Sequence, residues 1–204
     1  MPPSGSWPHN PPIGQGFMSE LAFRRYDSAG ARAIRDTVAQ IHRGAYVARI
    51  ESGDPFYTVD AFMGRFDAYT SRDGFDLVTA WLDDEPVGQA WGWPLDQARG
   101  AGWWRGLINE PEPGFTAEDG KRTFALSEIM VCEPYTGQHI AHALHDALLN
   151  GRSEARATLL VNPANEKAYG VYLRWGWRKV AQLRPHWPDA PLFDVLILPL
   201  PVAC

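Results

Sequence analysis

The chain has 204 residues, 45% hydrophobic and 21% charged, with a net charge of −5 and a pI near 5.6. That length is enough to bury one full core. The acidic balance excludes the basic stripe of a nucleic-acid binder and suits a cationic partner better. No run approaches the ~18 apolar residues of a membrane span. Cys132 and Cys204 are the only cysteines and form no CxxC, so neither a disulfide framework nor a zinc site is expected, and a reducing, cytoplasmic location is.

In chain order, the opening MPPSGSWPHNPPIGQGF is rich in Pro and Gly and lacks the apolar core of a signal peptide. Residues 1–18 are read as a disordered extension and 19–204 as a single domain. A short strand is predicted at Leu21–Arg25, and Ser28 offers an N-cap. The segment AGARAIRDTVAQIHRGAYVARI places Ile34, Val38, Ile41 and Ala45 at helical spacing, and TVDAFMGRFDAY predicts a second helix with Phe62 and Phe66 on one side. FDLVTAWL and PVGQAWGW, separated by Asp83-Asp84-Glu85, predict a β-hairpin. Residues 95–122, rich in Gly, Pro and charge, are read as one long loop holding Trp103 and Trp104. A strand at FALSEIMV, a helix within 136–150, a strand at ATLLV, a helix at ANEKAYGVYLRW and strands at WRKVAQL and FDVLIL follow. Strand–helix–strand order requires parallel pairing in part of the sheet.

The stretch PYTGQHIAHALHDALL, residues 134–149, carries the first chemical signal. Ile140, Ala143 or Leu144, Ala147 and Leu148 form an apolar stripe, so one face packs on the sheet. The first turn of that helix has N–H groups without intrahelical partners and the positive end of the helix dipole, and Gly137 lets a ligand approach the backbone. This is the arrangement that holds a phosphate or pyrophosphate. Neither GxxxxGK[ST] nor GxGxxG is present.

SEIMVCEPYTGQHIAHAL followed by NPANEKAYGVYLRWGW resembles the GNAT-type, acyl-CoA-dependent N-acetyltransferases. Asn165, Ala168, Tyr172, Gly176 and Trp177 match the family's N-x-x-A-x-x-x-Y-x-x-x-G-[FW] pattern. The pyrophosphate loop [QR]-x-x-G-x-[GA] is matched in part: Thr136 stands where Gln or Arg is usual, His139 replaces Gly, and Ala141 matches. Losing the Arg removes a phosphate partner. The resemblance implies an α/β (α+β) fold: a mixed, largely antiparallel central sheet of about six to seven strands, about four flanking helices, and a parallel strand–helix–strand acyl-CoA-binding core. It implies acetyl-CoA as co-substrate, main-chain pairing of the pantetheine arm at Met130 and Val131, and a pyrophosphate loop of Thr136, Gly137, Gln138, His139, Ile140, Ala141 and His142.

Acetyl transfer needs a neutral amine, a stabilised oxyanion and a proton for the departing thiolate. Strand alternation puts Glu128 on the face of Leu126 and Met130, where desolvation raises a carboxyl toward the range of a general base. Asn165, Tyr169, Tyr172 and Gly176 lie along one row of the last helix, so Asn165 can bond the pantetheine. Tyr172 or Tyr169 can then serve as general acid; the family's Tyr-to-Gly spacing favours Tyr172. The histidines at 139, 142 and 145 read as a solvated helix face, and no metal is expected because HExxH is absent. Cys132 reads as a buried apolar residue. Trp91, Trp93, Trp103 and Trp104 are candidates for an aromatic wall that receives the acceptor. The expected acceptor is a small-molecule amine, an antibiotic or metabolite, with a protein or peptide amine as the alternative. Two rival readings are a non-catalytic acyl-CoA sensor and a homodimer joined through an exposed Trp loop.

Overall fold

A computed structural model describes residues 20–186 and 190–201. The Pro- and Gly-rich extension and Cys204 lie outside them. The described elements are β1 (Leu21–Tyr26), α1 (Ser28–Ala33), α2 (Arg35–Ala45), α3 (Val47–Glu51), α4 (Val59–Tyr69), β2 (Asp76–Leu82), β3 (Glu85–Pro94), α5 (Gln97–Trp103), β4 (Leu107–Ile108), β5 (Thr123–Val131), α6 (Ile140–Leu149), β6 (Arg156–Val161), α7 (Glu166–Arg174), β7 (Arg178–Leu183) and β8 (Phe193–Pro199).

The eight strands form one sheet in the order β1-β2-β3-β5-β6-β8-β7-β4. Every pairing is antiparallel except β5 with β6. The count exceeds the expected six to seven because the supposed loop at 95–122 contains α5 and β4, the latter pairing with β7. Asp96 caps α5 by accepting from the Arg99 amide at 2.8 Å. Likewise the single helix expected after Ser28 is three helices. The backbone leaves helical geometry at Ile34 and Tyr46, and Asp27 rather than Ser28 is the first N-cap.

Two apolar layers sandwich the sheet. Helices α1, α2 and α4 cover one face with Val38, Ile41, Phe62, Phe66, Trp91 and Met130; α6 covers the other with Ala90, Phe124, Leu126, Leu144 and Leu148. Burial of this many large side chains, at roughly 25 cal/mol per Å² of apolar surface, supplies the main driving force for the fold.

The functional consequence of the topology lies between β5 and β6. Their parallel ladder covers only Thr123–Ala125 against Arg156–Thr158, although β5 runs on to Val131 and β6 to Val161. Past Ala125 the two strands diverge, leaving one edge of β5 without a strand partner among the described residues. The closed end is stitched by buried polar groups. Glu118 accepts from the Trp104 indole at 3.0 Å, from Thr123 Oγ1 at 2.8 Å and from Arg156 at 3.2 Å. No described helix is long and apolar enough to cross a membrane.

Candidate active site

The opening between β5 and β6 leads into a cleft of about 600 Å³, lined along β5 by Ile129, Met130 and Val131 and walled by the start of α6 and one side of α7. Helix α6 begins without a side-chain cap: His139, at its N-cap, is left-handed with φ 62°. Gly137 is left-handed too, at φ 80°, with open space where a Cβ would point. Two left-handed residues turn the chain so that the amides from Gly137 to His142 meet no acceptor among the described residues. Six convergent N–H groups on the positive end of a helix form an anion cradle.

Thr136, Gly137, His139, Ile140, Ala141, His142 and Asn165 line this cleft as expected. Gln138 does not; its side chain donates back to the Pro134 carbonyl at 3.4 Å. Asn165 also caps α7, accepting from the Ala168 amide at 3.3 Å, which leaves its amide nitrogen free to donate. Lys167 and Arg174 line the cleft as well. They restore the positive charge missing at Thr136. Sequence spacing alone could have found them, since both lie on α7 between the motif residues.

Tyr172 lines the cleft, its ring edge-on to Trp175 and Trp177 at 5.9 and 6.2 Å. Burial, aided by the Glu128 charge, holds its hydroxyl protonated far above the ordinary phenol range. Tyr169 is committed elsewhere, donating to Asp194 at 3.0 Å. The two tyrosines that sequence spacing left open thus differ in setting: Tyr172 lines the cleft and Tyr169 does not.

Glu128 shares a face of β5 with Met130, as alternation predicts, but not with Leu126. The ladder pairs Trp91 with Glu128 but Gly92 with Leu126, so Ser127 is an extra residue and forms a bulge. Leu126 packs in the α6 layer, whereas Glu128 shares with Met130 the face covered by α2 and α4. The bulge needs a glycine opposite, since a Cβ at Gly92 would lie 2.1 Å from the Ala125 carbonyl oxygen. Desolvation pushes the Glu128 carboxyl up to about 7, against the opposing pull of Arg65.

The tryptophans are placed differently from expectation. Trp91 and Trp93 are 0% and 1% exposed, and Phe62 and Phe66 stack over Trp91 at 5.4 and 4.7 Å. Trp104 is 5% exposed and bound to Glu118, a structural role. Trp103 is half-buried, edge-on to Trp93 at 6.0 Å. The pair is therefore not an exposed interface. His145 also departs from a solvated face: it is 1% exposed and its Nε2 accepts from the Trp177 indole at 3.0 Å. With Nε2 accepting, Nδ1 carries the proton toward Asp146 at 2.9 Å. Cys132 is buried, and burial pushes its thiol up to about 11.

A sheet splayed beside a helix start with free amides, and flanked by a desolvated carboxyl and a protonated tyrosine, defines an acyltransferase that takes its acyl group from a phosphate-bearing donor. The Acetyltransferase (GNAT) family matches residues 36–177, and the chain belongs to that family. No curated protein matches the sequence. Solved structures share the fold. The ribosomal-protein-S18-alanine N-acetyltransferase from Escherichia coli is 14% identical with a TM-score of 0.59, over 91% of this chain and 97% of that one. NAA60 of Arabidopsis thaliana, in complex with acetyl-CoA, is 14% identical with a TM-score of 0.58, over 89% and 99%. The PaiA N-acetyltransferase from Thermoplasma acidophilum, in complex with coenzyme A, is 12% identical with a TM-score of 0.50, over 88% and 99%.

Proposed function

We propose that the chain transfers an acetyl group from acetyl-CoA to a primary amine of a small molecule, by direct attack within a ternary complex. The observation that carries this reading is the run of unpaired amides from Gly137 to His142 opening onto the splayed edge of β5. The coenzyme-bearing neighbours support acetyl-CoA as the donor. The donor supplies an activated thioester carbonyl; the protein supplies position and protons.

In this reading the amides at the α6 start, with Lys167 and Arg174, hold the diphosphate. The free edge of β5 at Met130 and Val131 and the Asn165 amide hold the pantetheine. Glu128, with a carboxyl near 7, removes a proton from the incoming ammonium, directly or through water. The freed amine attacks the carbonyl, the C–N bond forms, the C–S bond breaks, Tyr172 protonates the leaving thiolate, and the second proton shed by the acylated nitrogen restores the Tyr172 hydroxyl, directly or through water.

One of the neighbours is an N-acetyltransferase whose name points to a protein acceptor, a ribosomal protein. The half-buried position of Glu128, on the face covered by α2 and α4, favours a small acceptor here. Free thiol released from acetyl-CoA across a panel of amines and peptides tests the reading. Tight acetyl-CoA binding without turnover of any amine would make the chain a sensor instead.

A further inference from the structure

The face of the sheet that carries Glu128 also holds polar groups with no task in the transfer described above. Arg65 on α4 stacks its guanidinium 4.0 Å from the Phe56 ring centroid and donates Nη1 to the Phe56 carbonyl at 3.0 Å. Its Nε is buried without a partner. The arginine ion pairs among the described residues belong to Arg25, Arg35, Arg99, Arg152 and Arg156, not to Arg65.

The surroundings are rich in donors. The indole N–H groups of Trp91, Trp93 and Trp103 are buried without acceptors. Tyr135 and Tyr169 spend their hydroxyls on carboxylates, whereas the half-buried hydroxyls of Tyr46, Tyr57 and Tyr69 have no hydrogen-bond partner among the described residues. The Glu128 charge reaches all three of these tyrosines, and Arg65 reaches them as well as Glu128. Yet Glu128 and Arg65 do not close on each other as an ion pair.

Glu128 stands opposite Trp91, Phe62 stacks on Trp91, and the Arg65 guanidinium lies 5.9 Å from the Phe62 ring, so a carboxyl and a guanidinium share one face of the sheet without pairing and leave two opposite poles. Leaving a buried donor unpaired is costly, so a ligand that satisfies it is discriminated from one that does not. The planar guanidinium fork matches a carboxylate. We propose that the acceptor is an amino acid-like zwitterion, its amine directed to Glu128 and its carboxylate held by Arg65 with help from the surrounding tyrosine hydroxyls. This rests on the acetyl-transfer reading and names its substrate class. The local cation also shows why bulk net charge misleads about the partner: −5 over the whole chain says nothing of one recess.

The test compares matched pairs, each an amino acid and its carboxamide, by kcat/KM from thiol release and by calorimetric binding to the full chain loaded with coenzyme A. The carboxylate member is expected to be preferred by on the order of 10²-fold, and Arg65→Met to collapse that ratio toward one. Acetyl-CoA affinity of the variant serves as the folding control. Equal rates for both members, or a ratio that persists in Arg65→Met, overturns the zwitterion assignment while leaving acetyl transfer intact. Thiol release from neither member while other amines of the panel are turned over overturns the zwitterion assignment alone; thiol release from no amine at all overturns the transfer reading, and calorimetry then still decides recognition. Carboxylate binding weakened in Arg65→Met supports it, and binding of neither member refutes it.

Discussion

Trp91 and Glu128 are cross-strand partners in β3 and β5, and the extra residue Ser127 just before Glu128 turns its carboxyl toward the α2–α4 layer. The carboxyl proposed as base and the cleft proposed for the coenzyme therefore lie on different sides of β5, and the Glu128 charge still reaches Tyr172 in that cleft.

Glu128 should give the enzyme its acidic limb. With its carboxyl near 7, kcat/KM is expected to rise with pH through about 7 and level off above it. Glu128→Gln should lower the plateau by roughly 10²-fold and flatten that limb. A wild-type profile without inflection between pH 6 and 8 removes Glu128 as the base.

The same group makes a stability prediction of defined sign. Its folded value lies above that of the unfolded chain, so the folded state binds the proton more tightly. The stabilisation is full below the unfolded value and lost as pH rises through the folded one. Glu128→Gln should match wild type at pH 5 and exceed it at pH 8 by roughly 1–3 kcal/mol, measured by denaturant unfolding at each pH.

The two tyrosines of α7 should separate cleanly. Tyr172→Phe keeps the ring against Trp175 and Trp177 while removing the hydroxyl that lines the cleft, and is expected to lower kcat by around 10²-fold with acetyl-CoA affinity retained. Tyr169→Phe loses a bond to Asp194 and should cost about 1 kcal/mol of stability with little effect on kcat. Reversal of that pattern would exchange their roles.

His139 carries backbone strain, because a side chain at φ 62° costs roughly 1–2 kcal/mol. His139→Gly should raise thermal stability slightly and keep acetyl-CoA binding. Gly137→Ala, at φ 80° but facing open space, should lose about 1 kcal/mol and weaken binding through the distorted turn. Thermal unfolding and coenzyme titration of both variants check the pair.

Trp177 is expected to be structural rather than chemical. Trp177→Phe leaves the buried His145 Nε2 without its donor and should cost roughly 1–3 kcal/mol, read by urea unfolding, while Tyr172 chemistry survives.

The coenzyme side of the site was legible because its motif residues are local: Gly137 to Ala141 sit on one turn, and Asn165 to Trp177 on one helix and the turn that ends it. The hairpin of β2 and β3 was equally plain from Asp83-Asp84 between two apolar runs. The acceptor side was not. A bulge adds a residue without altering composition, so Leu126, Glu128 and Met130 looked coplanar until β3 fixed the register. Arg65, Tyr46 and Tyr57 come from α4, the junction of α2 and α3, and the chain between α3 and α4, and nothing in their spacing announces that they share the face of Glu128. Trp104 was misplaced because Glu118 and Arg156, its burial partners, lie 14 and 52 positions away. Charged residues in a Gly-rich stretch resemble solvent-exposed chain.

The short ladder between Thr123–Ala125 and Arg156–Thr158 makes the molecule two plates sharing one clasp. Strands β1, β2, β3 and β5 make up one plate, and β6, β8, β7 and β4 the other. Mechanical load or denaturant should part the protein along this line first, and whatever bridges the two plates while the thioester is seated acts as a second clasp.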